Sequence, residues 1–302
     1  MDTSSEFLQL TLVPLLIALL ACIACALPGN FLVLRRQSLV GDAISHVALL
    51  GIVGAFVFTG SLDTTPMLLG AMLSAVLAVS LIELIRFLGK VEPGAAMGVV
   101  FTALFATGVL LLEQSNSSSV HLDVEHVLYG NLESLLWLDA QDWSSLTDPE
   151  ALSWLPHQLP RLAWVLLIVV VFLIARWREL VIGTFDADFA ASIGARPSLT
   201  NLALLVVVAL VAVASFEAVG AIIVVAMFIC PAATARLMTD SLKQQMILSV
   251  VFASIAATGG YILAAWGPLW LGYEDSVSAA GMIALLSGLM LLIAALAGPR
   301  RR

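Results

Sequence analysis

Nine stretches of roughly 17–25 residues run through this chain with almost no charge, each long enough as a helix to cross about 30 Å of hydrocarbon. One such stretch can be the buried helix of a soluble core. Nine cannot all be buried in 302 residues. Composition agrees: 61% of residues are apolar and 11% charged, where a soluble domain carries about a quarter charged. The pattern predicts an all-α, polytopic transmembrane bundle of eight to nine spans. Helices are expected near 8–34, 43–60, 66–88, 95–113, 162–177, 199–215, 220–236, 245–267 and 278–297. Breakers or charges fill every gap, and no Ser/Gly-rich linker divides the chain, so residues 1–302 read as one transmembrane domain. The first stretch reads as a retained helix rather than a cleaved signal, because the residues ahead of it, Met1 to Glu6, are acidic rather than basic. Cys22 and Cys25 lie one turn apart in that helix without a second pair and read as small packing residues.

Positive residues favour the cytoplasmic side of a membrane. With nine alternating spans and an external N-terminus, Arg35, Arg36, Arg86, Lys90, Arg176, Arg178, Arg196, Arg236, Lys243, Arg300, Arg301 and Arg302 all fall at cytoplasmic ends. Only Arg161 of the 13 basic residues falls outside. The C-terminus is then cytoplasmic. The external loop, 114–161, holds Asp123, Glu125, Glu133, Asp139, Asp142, Asp148 and Glu150 against Arg161. It reads as a solvated loop or as an anionic mouth that concentrates cations. The cytoplasmic segment 178–197 contains a short helix, about Ala187 to Ile193, with Asp186 as N-cap and Gly194 as stop.

Chemistry concentrates in Gly41-Asp42-Ala43-Ile44-Ser45-His46, at the start of the second span. Asp42 and His46 are four apart and share a helix face. An ionised Asp within a span costs roughly 2.5–3.5 kcal/mol and needs a partner, a cavity or an ion. Carboxylate oxygen with imidazole nitrogen suits manganese, iron or zinc. Two ligands hold such an ion poorly, but the same pair from a second protomer would complete a four-ligand site. In the other reading Asp42 caps the helix and His46 bonds a neighbouring carbonyl.

Arg35 to Gly51 (RRQSLVGDAISHVALLG) resembles the signature of the metal-importing ABC-3 permease family, and three further stretches agree in order. These are Met97 to Leu110 (MGVVFTALFATGVL), Asp123 to Leu132 (DVEHVLYGNL) and Ala218 to Ala235 (AVGAIIVVAMFICPAATA). The resemblance implies a permease of the bacterial cytoplasmic membrane that works beside a second protomer, identical or related. It also implies a pair of ABC ATPase subunits that bind the ATP, and an extracytoplasmic protein that delivers the metal. Asp42 and His46 match the family's metal-coordinating positions. Phe185, Asp186, Phe189, Ala190 and Gly194 match the cytoplasmic segment where a coupling helix meets the ATPase. The resemblance around Phe216 to Gly220 favours manganese over zinc and iron as the cargo; no resident cofactor is implied. Two departures stand out. The stretch from Ala140 to Pro160 is longer than the family pattern, and Leu50 occupies a position where proline is common.

Asp123, Glu125 and His126, with His121 nearby, form an acidic-histidine cluster at the outer mouth that fits either passing contact with a metal or structural hydrogen bonding. Glu217, at the outer end of the sixth span, either lines the path or sits at the interface. Gly220 and Pro231 bracket a breakable helix of the kind that lines substrate paths. Gly51, Gly54, Gly259 and Gly260 permit close helix packing. The chain has no G-x-x-x-x-G-K-[ST] loop and cannot cradle ATP itself. With a net charge of −8 it presents no basic face to nucleic acid. It has neither H-E-x-x-H nor G-x-S-x-G, and this disfavours one alternative, an intramembrane metalloenzyme using Asp42, His46 and His126. The other alternative is an ion-coupled carrier without an ATPase.

Overall fold

A computed structural model describes residues 7–60, 63–114, 132–140, 142–270, 272 and 277–299. Eight of its helices are long and apolar enough to cross a membrane. They are α1 (Leu8–Leu34), α2 (Val40–Thr59), α3 (Thr64–Gly89), α4 (Pro93–Gln114), α5 (Gln158–Ala175), α8 (Pro197–Met238), α9 (Leu242–Trp270) and α10 (Ala279–Ala297). Between α5 and α8 lie two shorter helices, α6 (Trp177–Phe185) and α7 (Ala187–Ser192). No strand occurs among the described residues. The sequence did not suggest α6; its predicted place was a plain connection.

The spans expected at 199–215 and 220–236 form one 42-residue element, α8. At 1.5 Å per residue it would measure about 63 Å if straight, twice a bilayer's hydrocarbon core. It is not straight: Gly220 has φ 81° and ψ 162°, a conformation outside the helix region and open in practice to glycine alone. The break therefore falls on Gly220 itself, while Pro231 sits inside the helix beyond it.

The chain divides into two compact units. One comprises residues 28–124 and 168–213. In it α2 packs on α3 and α4, and α3 on α4. Glycine sets the α2–α3 distance: a methyl group on Gly51 would lie 2.1 Å from the carbonyl oxygen of Gly70, and one on Gly70 would lie 2.2 Å from that of Gly51. The Ser74 hydroxyl donates across the same seam to the Val47 carbonyl (3.1 Å). Gly108 of α4 abuts the Leu50 backbone, with 3.0 Å from a built Cβ to Leu50 Cα. Gly54 has nothing among the described residues within 4 Å of such an atom, so the expected close packing there is not with α3 or α4. The far side of α3 exposes Leu69, Leu73, Leu77, Leu84 and Leu88. This stripe at helical spacing is apolar where a soluble helix would be polar, as contact with lipid requires.

The other unit comprises residues 1–27, 125–167 and 214–302. In it α9 packs on α10, and Gly260 lies against the Ile283 backbone, 2.5 Å from a built Cβ to Ile283 Cα. The described part of the loop 132–157 is folded onto this unit. Trp137 is 1% exposed and its indole N–H donates to the Ala151 carbonyl (2.9 Å). Gln9 donates through Nε2 to the Ala140 carbonyl (2.7 Å), and Glu133 accepts from the Ala279 N–H that opens α10 (2.8 Å). Cys22 and Cys25 are buried and unbridged, as packing residues should be.

Candidate metal site and coupling segment

Helix α2 begins earlier than expected, with Leu39 as its N-cap. Asp42 is therefore not the cap. It is the third helical residue, in the first turn, where the positive end of the helix dipole favours a carboxylate. His46 follows one turn later, with its Nε2 3.6 Å from the Asp42 carboxylate. That separation is too long for a hydrogen bond, and no other hydrogen bond to the His46 ring is found among the described residues. The capping and carbonyl-bonding roles that competed with metal binding are thus both unfilled. The side chains of Asp42 and His46 remain 44% and 38% exposed, so an ion can reach both.

Two phenylalanines of α4 hold the imidazole. Phe101 stacks on it at 5.7 Å between centroids and 27° between planes. Phe105 meets it edge-on at 5.5 Å and 74°. Fixing a ring this way lowers the entropy lost when one of its nitrogens takes an ion. The sequence carried a signal for the pair, since Phe101 and Phe105 are spaced i, i+4 and must share a face of α4. It gave no sign of which helix that face would meet. Among the described residues no group of three or more His, Cys, Asp and Glu could hold a metal ion. An ion met by Asp42 and His46 would find two ligands there and would need the rest from elsewhere. His121, Asp123, Glu125 and His126 lie outside the described residues.

Glu217 is described, and its carboxylate is occupied. Arg161 of α5 donates to Oε2 and Gln158 to Oε1 (3.4 Å). The lone basic residue of the loop side thus neutralises Glu217 three residues before the Gly220 break.

The short helix expected at 187–193 is α7, and both its signals act as read. The Asp186 carboxylate accepts the Phe189 N–H (2.8 Å). Gly194 ends the helix at φ 83°, with the Ala195 N–H closing onto the Ala190 carbonyl (3.0 Å). Ala190 is buried, whereas Phe185, Phe189 and Ile193 stand 60%, 53% and 48% exposed. Helix α7, with Phe189 on it and Phe185 and Ile193 flanking it, presents an apolar knob.

Beside α7 is a polar network that sequence reasoning missed. Arg35 donates to Thr184 Oγ1 (2.9 Å), to Asn201 Oδ1 (2.6 Å) and to the Leu180 carbonyl (3.3 Å). Asn201 donates on to Glu83 (2.8 Å), which also takes Arg86. Glu179 joins Arg176 to Thr200. Burial pushes the Arg35 guanidinium down to about 10, partly opposed by Glu83, so it stays charged at neutral pH. The ends of α1 and α3, helix α6 and the start of α8 are thereby tied together.

Next to this network, Arg36 (φ 57°) and Lys90 (φ 49°) are the two non-glycine residues with positive φ among those described. Arg36 closes α1 in a Schellman arrangement: its N–H bonds the Val33 carbonyl (3.2 Å) and the Gln37 N–H bonds that of Leu32 (2.8 Å). Glycine is the usual occupant there. A side chain in the left-handed region costs roughly 1–2 kcal/mol. The favourable interaction of a cation with a helix C-terminus returns only about 0.3–1 kcal/mol.

The profile of the ABC 3 transport family matches residues 6–147 and 150–298. The chain belongs to that family. A relative named manganese transport system membrane protein MntD, from Bacillus subtilis (strain 168), is 39% identical over 277 residues, covering 92% of this chain and 88% of its own. The zinc transport system membrane protein TroD of Treponema pallidum (strain Nichols) is 36% identical, covering 96% of this chain and 75% of its own. Among solved structures, one described as PsaBC from Streptococcus pneumoniae in complex with Fab superposes with a TM-score of 0.72 at 29% identity. That match covers 96% of this chain and 92% of the other. This multi-pass chain is a transport component of an ABC system rather than an enzyme, so the intramembrane metalloenzyme falls away.

Proposed function

We propose that this chain is the permease of an importer for a divalent transition metal, manganese or zinc, in the bacterial cytoplasmic membrane, with Asp42 and His46 as transient ligands. One observation carries the reading: a carboxylate and an imidazole on one turn of α2, 3.6 Å apart, partly exposed, and hydrogen-bonded through their side chains to none of the described residues. The names of the relatives, manganese and zinc transport proteins, point the same way.

Asp42 supplies a carboxylate at the positive end of α2. His46 supplies a nitrogen lone pair and is kept in orientation by Phe101 and Phe105. Two ligands bind weakly, which suits a site that must release its ion. A second protomer presenting the same pair would complete a four-ligand N2O2 site with the oxygen and nitrogen donors these metals accept. The N-terminus is outside and the C-terminus in the cytoplasm, an orientation supported by the distribution of basic residues. Gathering of Arg35 and Arg86 into one network supports it too. A pair of ATPase subunits docks on α7, gripping Phe185 and Phe189 beside the buried Ala190, with Asp186 and Gly194 shaping the knob. An extracytoplasmic metal-binding protein loads the opposite face, where Asp123, Glu125 and His126 supply further polar groups.

The test is uptake of radioactive manganese and zinc, in competition with iron, by cells lacking their own importers. Asp42→Ala and His46→Ala should each lower uptake by more than about tenfold, since even the outer partners of metal ligands are worth 10–100-fold. Co-purification with the ATPase subunit should be unchanged. Uptake at the unaltered level in either variant refutes the assignment.

A further inference from the structure

Two contiguous cavities open where α1 and α3 end and α8 begins. The first, about 400 Å³, is lined by Arg35, Arg36 and Arg86 against a single carboxylate, Glu83. Glu83 is held by Arg86 and Asn201, so an excess of positive charge faces the opening. Gln37, 2% exposed, also lines it, and its Oε1 accepts no hydrogen bond from any described residue. The second cavity, about 560 Å³, shares Glu83, Arg86 and Ser198 with the first and adds Lys90, Phe87 and Leu199. Phe87 is 79% and Leu199 50% exposed, and both continue the apolar stripe of α3 and the flank of α8. The trough is thus basic at one end and greasy at the other, at the end of membrane-spanning helices.

We propose that this trough binds an anionic phospholipid, with the headgroup among Arg35, Arg36, Arg86 and Lys90 and an acyl chain along Phe87 and Leu199. Charge complementarity names the headgroup, since basic pockets between spans are where anionic headgroups are held. The apolar wall names a lipid rather than a soluble anion, which would leave Phe87 and Leu199 uncovered. Gln37 offers an acceptor for a headgroup hydroxyl, so phosphatidylglycerol fits better than phosphatidic acid. The lining also contains both of the described non-glycine residues with positive φ, Arg36 and Lys90. Both are basic where glycine would be unstrained, and the helix dipole does not offset that strain. A ligand for their charges accounts for their presence. The inference is independent of the metal site.

The strained backbone also makes a clean experiment. Arg36→Gly and Lys90→Gly put glycine where φ already suits it, so both should fold at least as well as the parent. The full chain is purified in a neutral detergent and heated with phosphatidylglycerol or with phosphatidylcholine of the same acyl chains. Phosphatidylglycerol should raise the unfolding midpoint saturably and further than phosphatidylcholine. Each variant should need about fivefold more phosphatidylglycerol for the same rise, the share of one basic side chain at an anionic surface. Equal responses to the two lipids, or variants that respond like the parent, overturn the proposal. So does inorganic phosphate reproducing the whole shift, which would make the ligand a free anion. If instead Arg36→Gly abolishes co-purification with the ATPase while the phosphatidylglycerol response persists, the trough belongs to that partner and the lipid site is refuted.

Discussion

Replacing Gly51 with alanine tests how α2, and the Asp42–His46 pair it carries, is held in place. The added methyl would lie 2.1 Å from the Gly70 carbonyl oxygen, 2.4 Å from its carbon and 2.5 Å from Ser74 Oγ. Two of these atoms are backbone and cannot swing aside. Real Cβ contacts begin at about 3 Å, so α2 and α3 must part by about 1 Å, a gap that also forfeits much of the dispersion along the seam. Overpacking of this kind costs about 1–3 kcal/mol. Parting the helices also weakens the Ser74–Val47 bond, an interhelical bond of a kind worth about 0.6 kcal/mol on average. Gly54→Ala is the matched control. It lies on the same helix three residues on, meets nothing within 4 Å, and gains roughly 1 kcal/mol of helix propensity. Both variants are heated in detergent, and the fraction that stays monodisperse is measured by size-exclusion chromatography. Gly51→Ala should lose stability and metal uptake together, whereas Gly54→Ala should match or exceed the parent in both. If the two variants behave alike, backbone contact does not set the position of α2.

Gly220→Ala forces a side chain into a conformation costing about 1–3 kcal/mol. It should lower thermal stability and uptake, while Gly98→Ala, with no described residue within 4 Å of the added methyl, should leave uptake unchanged and stability equal or higher. A double-mutant cycle of Arg161→Ala and Glu217→Gln should return a coupling of about 0.5–3 kcal/mol. That coupling should change little with salt because both side chains are partly buried; additivity of the two substitutions would make the pair incidental.

Features within a single helix were legible in the sequence. Asp186 and Gly194 delimit α7 as read, because capping is decided by residues three or four apart. The spans fall close to their expected places for the same reason. Small errors still mattered. Starting α2 at Val40 rather than near residue 43 moves Asp42 from a capping role into the first turn, and thereby removes the main competitor to metal binding. What the sequence withheld depends on neighbours distant along the chain. Asn201 meets Glu83 across 118 positions and Arg35 across 166, and helical periodicity says which face a residue occupies but not which helix it meets. Gly51 and Gly54 look alike as letters, yet Gly70 lies against only one of them.

The placement of Gly51 also bears on the site. Nine residues separate it from Asp42, and at about 100° per residue they lie on opposite sides of α2. One side is pinned by backbone contact with α3 and the Ser74 hydroxyl, and Leu50 is pinned to α4 through Gly108. On the Asp42 side His46 meets the rings of Phe101 and Phe105, and both polar side chains stay partly exposed. A carboxylate and an imidazole proposed to accept and release an ion can have no hydrogen-bond partner that competes with it, and His46 is held instead by the rings of Phe101 and Phe105. Fixing the helix from behind, through glycines and one hydroxyl, resolves that conflict. It sets the pair to within the tolerance of a backbone contact and leaves the lone pairs free.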